Sequence, residues 1–139
     1  MIILDSNVLS ELTKAEPDAA VLAWADSVHG PAAATTAITV AELLFGVARL
    51  PDGRRKAALH DAVRQLIDVD LGGRAHPFDY AAAVQYAAIV TDRVAAGRPI
   101  SVSDAQIAAI CRSRGARLAT RNTRDFAGTG IELINPFDS

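Results

Sequence analysis

The 139-residue sequence predicts an α/β domain built on a parallel sheet. Three observations carry that expectation. Short apolar or Ala/Thr runs alternate with longer segments at helical spacing. The links between the earlier runs are long enough for helical crossovers, which parallel neighbours require. The first run is apolar throughout rather than alternating, as in a strand covered on both faces. The expectation is one domain over residues 1–139, with a central parallel sheet of about four to five strands flanked by helices.

Taken in order, Ile2 to Leu4 is a short β-branched run and reads as a buried strand. SNVLSELTK follows as a helix, with Asp5 or Ser6 as its N-cap. Pro17-Asp18 restarts a helix through AAVLAWADSVHG, closed by Gly30. AAATTA is read as a strand from its place between helices, because Ala itself is a poor strand former. TVAELLFGVARL reads as a helix with Val40, Leu43, Leu44 and Val47 on one face. Pro51-Asp52-Gly53 breaks the chain, and RRKAALHDAVRQLIDVD then carries Leu59, Ala62, Val63 and Leu66 at helical spacing.

Gly72-Gly73 is a second break, and RAHPF a short strand or extended link. Asp79 caps YAAAVQYAAIVTDRVAAG, with Ala83, Tyr86, Ala87, Val90 and Val94 expected to face inward and Gly97 to stop it. Ser103 is expected to cap DAQIAAICRSRG, which Gly115 stops. ARLAT is a strand, RNTRDF a turn or short helix, and IELIN a last strand ended by Pro136. There is no repeat, low-complexity tract or long linker.

Composition narrows the function classes. Half the residues are hydrophobic and 22% are charged, an ordinary globular balance. A net charge of -2 argues against a surface that wraps nucleic acid non-specifically, while leaving room for a local basic patch. The single cysteine, Cys111, rules out an intramolecular disulfide and a Cys-rich metal site. No apolar run approaches the ~20 residues of a membrane span. No basic segment precedes the first apolar run, and Asp5 ends that run early, so no signal peptide is expected. The expected setting is the cytoplasm, with no membrane partner.

The acids are the informative feature. In an open α/β sheet, ligands bind beyond the carboxyl ends of the strands, where the strand order reverses. Asp5 directly follows the first strand, and Glu42 lies in the first turns of the helix after the second. Asp104 starts the helix leading into ARLAT, and Asn122 and Asp125 follow ARLAT. Each has an ordinary explanation. Asp5 serves as an N-cap, Thr39-x-x-Glu42 matches a capping box, Asp104 suits a first turn, and Asn122 and Asp125 suit a turn. Capping explains an acid at each place, but not why several such starts converge on one edge.

Asp104 also shares a helix face with Ile107, Ala108 and Cys111, so it heads a buried stripe and points at the sheet's rim. Carboxylates gathered there repel one another, and a hard divalent cation is the usual remedy. Oxygen donors without His or Cys favour Mg²⁺ or Mn²⁺ over zinc.

Four segments carry a resemblance: ILDSNVLSEL at the start, ITVAELLFGV around Glu42, SDAQIAAI around Asp104, and ATRNTRDF before a final ELINP. In that order they resemble a PIN domain, in particular a VapC-type or FitB-like ribonuclease toxin, over nearly the whole chain. The resemblance implies a parallel sheet with helices on both sides. It implies a magnesium site made by Asp5, Glu42, Asp104 and a fourth residue after ARLAT. It further implies cleavage of RNA phosphodiester bonds, a homodimer, and a cognate small antitoxin through which operator DNA is bound. Where many relatives have Asp, this chain has Asn122, and Asp125 is the nearest acid. The fourth position therefore falls to either residue.

The chemistry expected is metal-assisted hydrolysis. Asp5 and Asp104 hold the ion, with Mn²⁺ able to replace Mg²⁺, and Glu42 helps hold it or accepts a proton from water. Ser6 and Asn7 hydrogen-bond the phosphate or the carboxylates, and Arg121 binds substrate. Arg112, Arg114, Arg117, Arg121 and Arg124 form a basic cluster that reads either as a phosphate-binding surface or as helix-end complement. Arg54, Arg55 and Lys56 read as a solvated helix end. His29, His60 and His76 lack ligand spacing, Cys111 reads as a buried small hydrophobe, and Trp24 reads as core or interface.

Two other classes compete. An Asp after the first strand can be a phosphoryl acceptor, but a dehalogenase-like D-x-D phosphatase needs a second Asp where Asn7 stands. A non-catalytic PIN-fold subunit acting with an antitoxin on operator DNA fits the same sequence. Divalent-dependent RNA cleavage by the isolated protein separates it from a nuclease.

Overall fold

In the computed structural model, which describes residues 1–28 and 32–138, the sheet has five parallel strands. They are β1 (Ile2–Leu4), β2 (Ala33–Thr36), β3 (Ala75–His76), β4 (Arg117–Ala119) and β5 (Leu133–Ile134), in the order β3-β2-β1-β4-β5. The helices are α1 (Ser6–Leu12), α2 (Ala19–Ser27), α3 (Ala37–Ala48), α4 (Arg54–Gln65), α5 (Tyr80–Ala95) and α6 (Val102–Ser113). The expected α/β class, parallel sheet and strand count hold. Gly30, expected to close the second helix, and His29 lie outside the described residues.

The winding places the site. From β1 the chain moves outward to β2 and β3, then returns to the other side of β1 for β4 and β5. The order therefore reverses between β1 and β4, whose registers align Leu4 with Ala119. The strands are apolar on both faces because both are covered. Ile3 and Leu118 pack with Ile89, Ile107, Ile110, Cys111 and Phe126 on one side. Ile2, Leu4 and Ala119 pack with Val8, Leu9, Val21 and Leu71 on the other, as the two-residue period of a strand dictates. A smaller cluster, Val47, Val63 and Ile67, joins α3 to the end of α4.

Helix starts and phases required three corrections. The cap of α6 is Ser101, not Ser103: its backbone is still extended and its hydroxyl accepts the Asp104 N–H at 3.2 Å. The cap of α3 is Thr36, at the end of β2, whose hydroxyl accepts the Thr39 N–H at 3.0 Å. The Thr39-x-x-Glu42 capping box is thereby overturned, since Glu42 sits in the second turn. In α5 the buried stripe is Ala82, Ile89 and Arg93, with Tyr86 and Val90 partly buried. Ala83, Ala87 and Val94 face solvent instead. Small alanines mark neither side of a helix, and a buried arginine is invisible to a hydrophobic count.

Candidate active site

Asp5 is the first residue beyond β1. Its N–H donates to Ala119 O at 2.9 Å, which completes the β1–β4 ladder and leaves its side chain at the reversal point. The residue is 5% exposed. It accepts the Ser6 N–H at 2.9 Å and the Thr120 hydroxyl at 2.8 Å, with Asn7 Nδ2 at 3.4 Å. Asp5 is therefore the N-cap of α1, as one of the two expected candidates. Burial nonetheless pushes its carboxyl above the usual range; the Thr120, Ser6 and Asn7 hydrogen bonds oppose the shift, and the charge of Asp125 adds to it.

Glu42 and Asp104 arrive from different helices and share that field. Burial raises the Glu42 carboxyl, and the charges of Asp5 and Asp104 raise it further. Burial also raises Asp104; the Ser101 hydroxyl lowers it, and the charges of Asp5 and Asp125 raise it. As expected, Asp104 heads a stripe in which Ile107, Ala108 and Cys111 are buried. Asp104 and Asp125 line one cleft of about 270 Å³ together with Arg93, Pro99, Ile100 and Ser101. Glu42 lines a second cleft, of about 250 Å³, that also takes in Ser10, Thr13 and Arg55. Arg55 thus shares a cleft with Glu42 while staying exposed at the start of α4, the solvated helix end expected.

The fourth position divides clearly. The short 3₁₀ turn Thr123–Phe126 carries Asp125, whose charge reaches both Asp5 and Asp104. Asn122 is exposed, and its main-chain N–H donates to the Thr120 hydroxyl at 3.0 Å.

The expected substrate ligands are more occupied than their spacing suggested. The Ser6 main-chain N–H donates to the Asp5 carboxylate, which caps α1. Asn7 bridges: Nδ2 donates to Thr120 Oγ1 at 3.2 Å, and Oδ1 accepts the Arg121 N–H at 2.9 Å. The Arg121 guanidinium lies over the Phe137 ring, 4.4 Å from its centre. The arginine cluster also splits. Arg112 and Arg114 sit at the far end of α6, and a 12-residue helix is roughly 18 Å long. Arg112 packs beside Gly130, and Arg114 lies 3.9 Å from Asp79. Of the cluster, only Arg121 and Arg124 follow β4.

Thr120 is the residue that sequence reasoning missed. It is fully buried, donates to Asp5, and accepts from Asn7 and Asn122. Its one signal was position: it follows β4 as Asp5 follows β1. The remaining candidates behave as structure. Cys111 is buried, with its thiol pushed up to about 12, Trp24 packs against the core, and His60 is exposed.

The donor set suits a hard cation: oxygen ligands only, with the charge of Asp5 acting on both Glu42 and Asp104. Among the described residues no three His, Cys, Asp or Glu side chains close around one point as a ready-made cage. Mg²⁺ needs no such cage, because it keeps several waters and takes one or two carboxylates plus substrate phosphate oxygens.

A doubly wound parallel sheet with carboxylates at its reversal point defines an α/β protein with an acidic site. Residues 2–131 match the model of the PIN domain, and the chain belongs to the PIN domain family. It is 42% identical over 138 residues to the VapC ribonuclease Y4jK of Sinorhizobium fredii, covering 99% of each chain. It is 39% identical over 137 residues to the toxin FitB of Neisseria gonorrhoeae, again covering 99% of each. Its fold superposes on a chain in a solved structure of FitAB bound to an IR36 DNA fragment with a TM-score of 0.91 at 38% identity, covering 99% of this chain and 96% of that one.

Proposed function

We propose that this chain is a Mg²⁺-dependent endoribonuclease and the toxin component of a type II, VapBC-like toxin–antitoxin system. One observation carries the reading: Asp5, Glu42 and Asp104 come from three separate elements at the β1/β4 reversal, close enough that the charge of Asp5 acts on both of the others. Its close relative named a VapC ribonuclease supports the substrate class.

Asp5 and Asp104 would hold the ion, Glu42 serving as the third carboxylate. Bound there, Mg²⁺, or Mn²⁺ in its place, supplies Lewis-acid polarisation of the phosphate and makes a water easier to deprotonate. Glu42 is exposed, which leaves its carboxylate open to accept that proton. Ser6 N–H and Thr120 fix the orientation of the Asp5 carboxylate. Asn7 acts on Asp5 and on the Arg121 main chain rather than on the phosphate. Arg124, exposed beside Asp125, draws the RNA backbone past the acids.

The partners follow. A small antitoxin presents Arg or Lys to the carboxylates and silences them. The outward apolar residues Tyr80, Val84 and Val94 of α5, with Val102 of α6, supply a surface for a homodimer. Operator DNA is bound only through the antitoxin, in keeping with the DNA-bound FitAB structure. No helix among the described residues is long and apolar enough to cross a membrane, and the RNA substrate places the reaction in the cytoplasm.

That DNA-bound neighbour also favours a second reading, in which the chain is a non-catalytic subunit on operator DNA. Sequencing RNA ends after brief expression separates the two. The nuclease reading predicts new internal ends with the parent and none with Asp5→Asn. Identical end profiles for both favour the operator reading.

A further inference from the structure

Arg93 is 6% exposed, and its hydrogen-bond partners are main-chain carbonyls, while its charge also acts on Asp104. Nε donates to Arg98 O at 2.6 Å, and Nη1 donates to Asp125 O at 3.0 Å and Ala127 O at 2.8 Å. Burying a charge costs several kcal/mol unless something offsets it, and a surface helix has no packing need for an arginine here. What the side chain joins is specific. Arg98 lies in the turn that leads to Ser101 and Asp104, and Asp125 and Ala127 belong to the 3₁₀ turn and its exit. The same guanidinium lines the cleft between Asp104 and Asp125.

We propose that Arg93 is a positioning residue: one guanidinium ties the segments that carry Asp104 and Asp125, and so sets the separation of the two acids. A planar fork can hold carbonyls of two segments at once, whereas an ammonium on a flexible stem holds them less rigidly. The consequence for metal rests on the Mg²⁺ reading above. The clamp itself does not.

The test uses the purified full chain with Arg93→Lys and Arg93→Met. Mg²⁺ binding is followed by the rise in melting temperature and by calorimetry. The half-saturating Mg²⁺ concentration should rise about 10-fold in Arg93→Lys, the lower end for loss of an outer-shell partner, and further in Arg93→Met. The sign is diagnostic. A mere countercharge predicts tighter Mg²⁺ binding when the cation is removed, and a purely structural role predicts a lower melting temperature with unchanged Mg²⁺ dependence. Either result overturns the proposal. If the parent itself does not respond to Mg²⁺, the metal reading fails, and amide hydrogen exchange decides the clamp. Arg93→Lys should speed exchange around residues 98–104 and 123–127 together while α5 stays protected. Faster exchange in only one segment, or in neither, overturns it.

Discussion

The Thr120 hydroxyl donates to Asp5 Oδ2 at 2.8 Å, across the seam where β4 and β1 leave the sheet. These two side chains follow strands aligned residue for residue, so the contact is a consequence of register. It orients a buried carboxylate that burial alone would push towards its neutral form. Thr120→Val keeps the shape and removes the donor. It should cost about 1–3 kcal/mol of stability and lower cleavage at least about 10-fold, whereas Thr120→Ser should retain most of both. Thermal melts and initial cleavage rates on the two variants check this. Equal activity for Val and Ser would show that the hydroxyl only packs.

The raised acids set a pH dependence. Between a carboxyl's ordinary value and its raised folded value, the folded state holds more protons than the unfolded one, so stability is gained as pH falls. For Asp5, Asp104 and Glu42 that window opens above their ordinary values of 3.8, 3.8 and 4.5. His76 acts in the opposite sense: burial lowers its pKa below 6.5, so it withdraws stability as pH falls through that region. A difference measurement isolates the acids. Without Mg²⁺, Asp5→Asn and Asp104→Asn should each melt above the parent at neutral pH, and the gap should shrink as the pH falls towards 4. A gap independent of pH would mean that the carboxylates are not under mutual strain.

The fourth position makes a third prediction. Asp125 bears on both Asp5 and Asp104, whereas Asn122 stands exposed with its main chain held by Thr120. Asp125→Asn should raise the Mg²⁺ requirement of cleavage modestly, less than Asp5→Asn impairs it. Asn122→Ala should leave that requirement close to the parent's, and Asn122→Asp should tighten Mg²⁺ binding. Magnesium titrations of cleavage rate rank the variants. A parental Mg²⁺ dependence in Asp125→Asn, with only a lower melting temperature, would make Asp125 a structural turn residue.

Much of this was legible because strand ends are legible. Asp5 and Asp104 were found from a short apolar run cut by an acid, and from an acid in register with Ile107, Ala108 and Cys111. The parallel sheet followed from the crossovers. What stayed hidden was of three physical kinds. Helix phase in α5 was lost because Ala is small enough to sit on either face. The Glu42 helix start was misplaced because Thr36 and Thr39 are equally good caps by type, and only the extended backbone at Thr36 decides between them. Long-range polar partners were unreadable: Thr120 meets Asp5, and Arg93 meets Asp125 and Ala127, only once the sheet is wound. The arginine cluster divided between its two readings for a related reason, since Arg112 and Arg114 complement the far end of α6 whereas Arg121 and Arg124 follow β4.

The central claim is that the acidic rim at the β1/β4 reversal hydrolyses RNA with a divalent ion. The most direct measurement is the initial rate at which the purified chain, freed of any antitoxin, cleaves single-stranded RNA across a Mg²⁺ titration, beside Asp104→Asn. The account predicts cleavage that appears with Mg²⁺, persists with Mn²⁺, vanishes with chelator, and is absent from an Asp104→Asn protein that melts no lower than the parent. Cleavage that ignores chelator, or that survives in Asp104→Asn, would contradict it.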